Sequence, residues 1–536
     1  MEVHSNRDVQ AAWRYHRDTN HSYQNVNLNF HRMDWDNQPI PFKVYTGLKP
    51  RQLPTDFSAT GMTTFEALAD PRDSGEVVPT VHDLAALLYY AAGVVRVGNL
   101  PGGGKMYFRA AACTGALYHI ELYLVCGSVG DLEAGVYHFG AHDFSLRQLR
   151  EGDYRQVLVE AAGGPDGIGA AVAQAPAILV LSSVFWRNSW KYQSRAYRHS
   201  FWDSGTILAN LLATGSARGI PQRLVSSFVD GPVNRLLGLD ENTEVALQMV
   251  AAGRDSLQRL PSAPEVTWLD WEVQPYSRSQ VDYPAIREIH SASSLATLQE
   301  LADIRASQGG APPPEVEVKG PAIQLAASSG PDSPVRTPVR TPVRTPVRTI
   351  EETIQRRGSS RRFRRAPIGF DQLTNMLRGA AAGIPADFST GVSDGSHELL
   401  NQMYLIVNDV DGLPSGSYVF HPGQDVLEQL EQGDFRGRAG QLDLGQELAA
   451  DASVNVYFLT DLAAALDRFG NRGYRMAQME AAIMGGRLYL GAYAQRLGAT
   501  GLTFFDDDVT QFFSPHAQGK SVMFLTALGR PMRRRT

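Results

Sequence analysis

Three short stretches of this sequence combine side chains that can do chemistry together. Arg357-Gly-Ser359-Ser-Arg361-Arg362-Phe363 alternates two guanidiniums with a hydroxyl. On an extended segment alternate residues point the same way, so these three side chains would grip a phosphate monoester. A solvated basic strand edge reads the same residues equally well. Lys191-Tyr192, preceded by Trp186 and followed by Arg195, sets an ammonium beside a phenol among aromatic residues. Partial desolvation there would poise a proton for transfer, while the plainer reading is a surface lysine beside a packing tyrosine. Arg109-Ala-Ala-Ala-Cys113-Thr114-Gly115 is a run of small residues that lets backbone approach a flat ligand. Arg109 there would meet an anion or a ring edge; the alternative is a tight, well-packed turn. Cys113 has no signalled His/Asn partner and is not read as a nucleophile. The 13 histidines show no metal-ligand spacing, so no metal is expected. GGGK, ending at Lys105, lacks Walker spacing and reads as a loop.

The elements that must position these residues come in two sets. VHDLAALLYYAAG from Val81 and FDQLTNMLRGAAAG from Phe370 have helical apolar spacing. ALYHIELYLVCG, LLNQMYLIVNDV, APAILVLSSVF and ASVNVYFLTDL read as strands. SFWDSGTILANLLATGSARG and MAQMEAAIMGGRLYLGAYAQRLG are helices apolar on most faces, to be buried in the core or at a seam. Gly135-Val-Tyr137-His-Phe139 followed by LRQLREGDYR returns as Gly416-Ser-Tyr418-Val-Phe420 followed by LEQLEQGDFR. RAYR (Arg195 to Arg198) returns as RGYR (Arg472 to Arg475). One α+β domain is therefore duplicated. The sequence divides into an N-terminal extension (1–60), a first domain (61–305), a linker (306–349) and a second domain (350–536). Four PVRT units, Pro334 to Thr349, fix φ and remove donors, which makes an extended spacer.

Composition bounds the rest. The chain has 536 residues, 43% of them hydrophobic, so it can fill more than one core. A formal charge of -6 gives no reason to expect a nucleic-acid partner. No long uncharged apolar run spans a membrane, and the polar first thirty residues are not a secretory signal. Two cysteines make neither a disulfide framework nor a zinc site. A cytoplasmic protein is expected.

The same motifs resemble a known family. Arg357-x-Ser359-x-Arg361-x-Phe363 is similar to the phosphate clamp of the FMN-dependent nitroreductase superfamily. RAAACTGALYHIELYLV resembles that family's R-x-x-P-S-x-G-A-L-x-x-x-E-x-Y segment, with Ala112 and Cys113 in place of Pro-Ser. LEAGVYHF, WKYQSRAYR and YHRDTNHS…DWDNQPIPFKVY resemble its SagB/ThcOx branch, the flavin dehydrogenases that oxidise azolines to azoles in ribosomal peptides. The resemblance implies two nitroreductase-like domains, each a central sheet flanked by helices. It implies FMN held by Arg357, Ser359 and Arg361 from the second domain and by Arg109, Cys113, Thr114 and Gly115 from the first. It puts Thr500, Gly501 and Thr503 near the flavin ring, Arg530 near the phosphate, and Lys191 and Tyr192 in the catalytic role.

Each repeat keeps what the other lacks. The first has DPRDSGEV (Asp70 to Val77) where the clamp should be, and carboxylates repel phosphate. The second has GVSDGSHELL (from Gly391) in place of the Arg109 loop, and Arg468-Phe469 in place of Lys-Tyr. One flavin site per chain, in an intramolecular pseudo-dimer, is the expectation. The implied reaction is oxidation of an azoline-like C–N or C–C bond in a small molecule or peptide, with a separate cyclodehydratase or carrier protein as partner. An NAD(P)H-dependent nitro or quinone reductase and a flavin-free scaffold subunit are the alternatives.

Overall fold

The computed structural model describes residues 5–28, 31–69, 75–99, 103–307, 318–325, 347–389 and 398–532. The PVRT tract except its last three residues, Asp70–Ser74 and Gly391–Ser396 lie outside the described residues.

Each half is built on an antiparallel sheet. The first runs Pro50–Gln52, Ser145–Glu151, Gly135–Gly140, Ile120–Cys126, Ala177–Val184, Glu244–Ala252, Gln222–Val225. The second runs Ala322–Gln324, Val426–Gln432, Gly416–His421, Asn401–Val407, Val454–Thr460, Ser521–Pro531, with Phe363–Arg364 and Gly498–Gly501 both on the last strand. Central strands are buried along their whole length, as their apolar β-branched runs require. The duplicated Gly-x-Tyr motif repeats even its irregularity. The register shifts between Val136 and Tyr137 in one half, and between Ser417 and Tyr418 in the other. Tyr137 donates to the Glu133 carbonyl at 2.8 Å, and Tyr418 to the Pro414 carbonyl at 2.7 Å.

The repeat is longer than the sequence shows. Helices Gln10–Asp18 and Pro284–Ala292 pack together, and each precedes a short strand on the outer edge of its sheet, Pro50–Gln52 or Ala322–Gln324. The stretch 306–349, expected as linker throughout, therefore contributes a strand. It escaped notice because three residues on an edge need no apolar alternation.

The nearly all-apolar helices, Ala196–Ala217 and Arg472–Ala494, cross at the seam between the halves and are buried almost throughout. Glycines set how closely they approach. A Cβ on Gly205 would lie 2.6 Å from the Ala482 Cβ, and one on Gly486 2.6 Å from the Ala209 Cβ. At the start of each helix the duplicated Arg-x-x-Arg grips an aspartate of the other half. Arg195 and Arg198 reach Asp506 at 3.1 and 2.6 Å; Arg472 and Arg475 reach Asp230 at 2.6 and 3.1 Å. Each aspartate also accepts a backbone N–H, from His21 or from Leu295. Removing one partner of such a buried set strands the other's charge, at a cost of about 3–5 kcal/mol.

Candidate active site at the seam

Lys191 and Tyr192 end the helix Phe185–Tyr192, and Gln193 turns the chain at φ +49° into the long helix. The Lys191 Nζ lies 5.2 Å from the centre of the Tyr192 ring. In the second half Arg468 stands over Phe469 in the same way, at 4.8 Å, without a hydroxyl. The Tyr192 ring meets His199 edge-on at 4.6 Å. Its hydroxyl lies 3.0 Å from where a Cβ on Gly115 would be, so only glycine fits there, and Gly115 has φ +64°. Burial pushes the Tyr192 phenol well up; Asp203 and Cys113 add to this, and Arg361 of the second half opposes it. The pair and the clamp motif, distant in sequence, thus share one electrostatic neighbourhood.

The Arg109–Gly115 loop is held from behind. Asp203, buried on the long helix, accepts from the Thr114 N–H at 2.9 Å, the Thr114 hydroxyl at 2.8 Å and the Cys113 thiol at 2.9 Å. His119 Nε2 sits 3.0 Å from the same carboxylate, and its Nδ1 lies 3.0 Å from the Ser183 hydroxyl. Burial, then the Asp203 charge, drives the Cys113 thiol far above its ordinary range, so it is not a thiolate nucleophile. Glu121 anchors the strand that follows: buried, it pairs with Arg187 and His138, and its carboxyl is held below the usual range against desolvation by the Arg187 charge. Ala116 and Tyr118, at φ +55° and +49°, are non-glycine residues in left-handed backbone, so the loop is strained as well as tethered.

Two arginines differ from the sequence expectation. Arg109 is 4% exposed. Its guanidinium donates to the Pro41 carbonyl at 2.7 Å and lies over the Phe42 and Tyr118 rings. Arg357 does not stand beside Arg361 as an open phosphate ligand. It crosses the seam and donates to the carbonyls of Ala110, Arg109 and Ala111 at 2.6, 2.8 and 3.0 Å. A tight turn leaves carbonyls without partners, and a forked cation satisfies several at once. Most of the other expected ligands of the second half have partners of their own. Arg361 is exposed. The Ser359 hydroxyl lies 3.4 Å from that of Tyr489, which accepts the Gly501 N–H. Gly501 is exposed at the end of its strand, and Thr500 is buried. Thr503 pairs with His21 of the N-terminal extension at 3.1 Å. Arg530 donates to the Pro367 carbonyl at 2.6 Å, beside the clamp strand. The void beside Arg109 and Cys113 is only about 10 Å³, too small for a ligand.

The opposite end of the seam carries the related position in the first half. A cavity of about 280 Å³ there is lined by Leu212, Gln222, Arg223, Arg254, Pro385 and Arg487. Arg254 follows its strand as Arg530 ends its own. Arg487 is turned onto the carbonyls of Ala382 and Gly383, much as Arg357 is turned onto its turn.

Asp203, His119 and Glu121 were missed by sequence reading. Only Glu121 had a signal, as the acidic position of the segment that follows Arg109.

Comparison with known proteins bears on the fold. Residues 354–530 match the Nitroreductase family. A candidate nitroreductase from Methanocaldococcus jannaschii is 23% identical over 162 residues, 30% of this chain and 76% of its own. The crystal structure of a candidate nitroreductase from Anabaena variabilis superposes with TM-score 0.72 at 24% identity, over 97% of this chain and 99% of that one. A chain of the E. coli microcin synthetase complex is 18% identical over 46% of this chain and 92% of its own, with TM-score 0.29. The two halves of the chain share the nitroreductase-like fold.

Proposed function

We propose that this chain is an FMN-dependent oxidoreductase with one flavin site at the seam, and that it works as a SagB-type dehydrogenase. Its substrate is an azoline-like or related C–N or C–C bond in a peptide or natural-product intermediate. The observation that carries this reading is the Tyr192 hydroxyl, packed on Gly115 and within the field of Arg361 from the other half. A simple reductase needs no protein acid or base at that place.

The residues fit such a cofactor. The Ser360 hydroxyl, buried in the clamp, has no partner among the described residues. Ser359, Arg361 and Arg530 would hold the phosphate, and the Thr500–Thr503 backbone would face the ring. Arg357, Arg109 and Asp203 would act by fixing the Cys113–Gly115 loop rather than by touching the ligand. When bound, FMN supplies a two-electron acceptor. Tyr192 keeps its proton through the neutral range and orients the substrate by donating from its hydroxyl. Lys191, having first released its own ammonium proton to solvent, takes the substrate proton at Nζ. A cyclodehydratase or carrier protein that prepares the substrate would be a separate chain.

Lys191→Ala should keep the protein yellow and lower turnover of azoline peptides, read as a two-unit mass loss, by about 10²–10⁴-fold. Loss of flavin in that variant would make the lysine structural. Rapid bleaching of the wild-type flavin by NADPH would favour the nitro or quinone reductase instead.

A further inference from the structure

In the second half, three side chains converge that the proposed chemistry does not use. His421 ends the strand Gly416–His421, Glu428 lies on the neighbouring strand Val426–Gln432, and His516 follows the helix Asp506–Phe512. One ligand atom from each lies within 4.8 Å of the others. The Glu428 Oε2 is 2.8 Å from His421 Nε2 and 3.8 Å from His516 Nε2. Glu428 and His421 are buried, and the His516 side chain is 18% exposed.

We propose that His421, Glu428 and His516 form a Zn2+ site with an open fourth position. Zinc bonds of about 2.0–2.2 Å to nitrogen and oxygen put tetrahedral ligands about 3.3 Å apart, between the two spacings observed. Inserting the ion lengthens the His421–Glu428 contact and shortens the Glu428–His516 one. At 3.8 Å the latter is too long for a hydrogen bond. The surroundings are those of a metal site. The Tyr404 hydroxyl lies 2.8 Å from His516 Nδ1, which fixes the ring with Nε2 towards the cluster. Glu428 Oε1 accepts the backbone N–H groups of Lys319 and Gly320 at 3.0 and 2.7 Å, leaving Oε2 for the ion. Two imidazoles and a carboxylate suit zinc better than magnesium or calcium. Because Lys319 and Gly320 lead into the edge strand Ala322–Gln324, the ion also fastens the start of the second sheet to its core.

The test is a titration of chelator-treated full-length protein with Zn2+ alone, repeated with Co2+ for its visible absorption. Wild type should take up one Zn2+ and show a low-coordinate Co2+ spectrum. His516→Ala removes the least buried ligand and should weaken binding at least about tenfold, with flavin content unchanged. Tyr404→Phe, a positioning change, should weaken it about tenfold while keeping the Co2+ spectrum. Absence of uptake by the wild type overturns the site, and so does uptake as tight as the wild type's in both His421→Ala and His516→Ala.

Discussion

A buried carboxylate can govern a reactive-looking side chain that it never lets react. Cys113 donates to Asp203 at 2.9 Å, and the aspartate charge adds to burial in holding the thiol protonated. Alkylation needs the thiolate, so Cys113 should react slowly with iodoacetamide at pH 8. Asp203→Asn removes the charge, lowers the thiol pKa and should speed alkylation about tenfold or more. The same change replaces one accepting oxygen with an NH2 group, so the contacts of Thr114, Cys113 and His119 with this side chain cannot all persist, and turnover should fall with it. A rate unchanged from wild type would mean that Asp203 does not set the thiol. At this scale residue type was legible in the sequence and direction was not. Arg109 and Arg357 are both in the motif, yet both serve backbone carbonyls. Which way a guanidinium turns depends on carbonyls more than 60 residues away in the chain.

Elements were more legible, because periodicity is local. The strands Ile120–Cys126, Ala177–Val184, Asn401–Val407 and Val454–Thr460 and the helices Val81–Ala92 and Phe370–Ala381 all stand where apolar spacing placed them. What the long helices carry inward was hidden. Eight residues after the first arginine of each repeat lies a carboxylate, Asp203 in one helix and Glu480 in the other. Glu480 accepts from the Asn401 N–H at 2.8 Å and the Asn401 side chain at 2.9 Å, so both carboxylates hold the chain entering a central strand. No arginine grips Glu480 among the described residues, and burial raises its carboxyl from 4.5 to about 7. The unfolded chain loses this proton at lower pH than the folded one. The contribution to stability is therefore full below about pH 4.5 and lost as pH rises through 7, on the order of 3 kcal/mol. Glu480→Gln should flatten the fall in Tm between pH 5 and pH 8 while keeping the Asn401 contacts. If the wild type melts at the same temperature at both values, Glu480 does not titrate in this window.

At the scale of the whole molecule, the seam is the core and, in the function proposed, also the site. The Arg-x-x-Arg repeats were visible in the sequence, but their aspartates, Asp506 and Asp230, lie more than 200 residues away and in the opposite half. Only folding shows that each repeat grips the other. The clamp motif and the Lys191–Tyr192 pair come from different halves, so the proposed site would exist only while the two long helices keep their spacing. That spacing rests on glycine. A Cβ at Gly486 already meets Ala209 at 2.6 Å and the Thr206 Cα at 3.2 Å, and neither is a flexible side-chain end. Gly486→Val should push the helices apart and cost about 1–3 kcal/mol. Each sheet keeps its own strand ladder and should survive, with far-UV circular dichroism unchanged. Flavin should fall from one per chain to almost none, because the phosphate grip on one half no longer faces the Gly115 loop on the other. A ratio near two in the wild type would show that the Arg254 end of the seam is a second flavin site. Retention of flavin by a folded Gly486→Val protein would show that one half holds it alone.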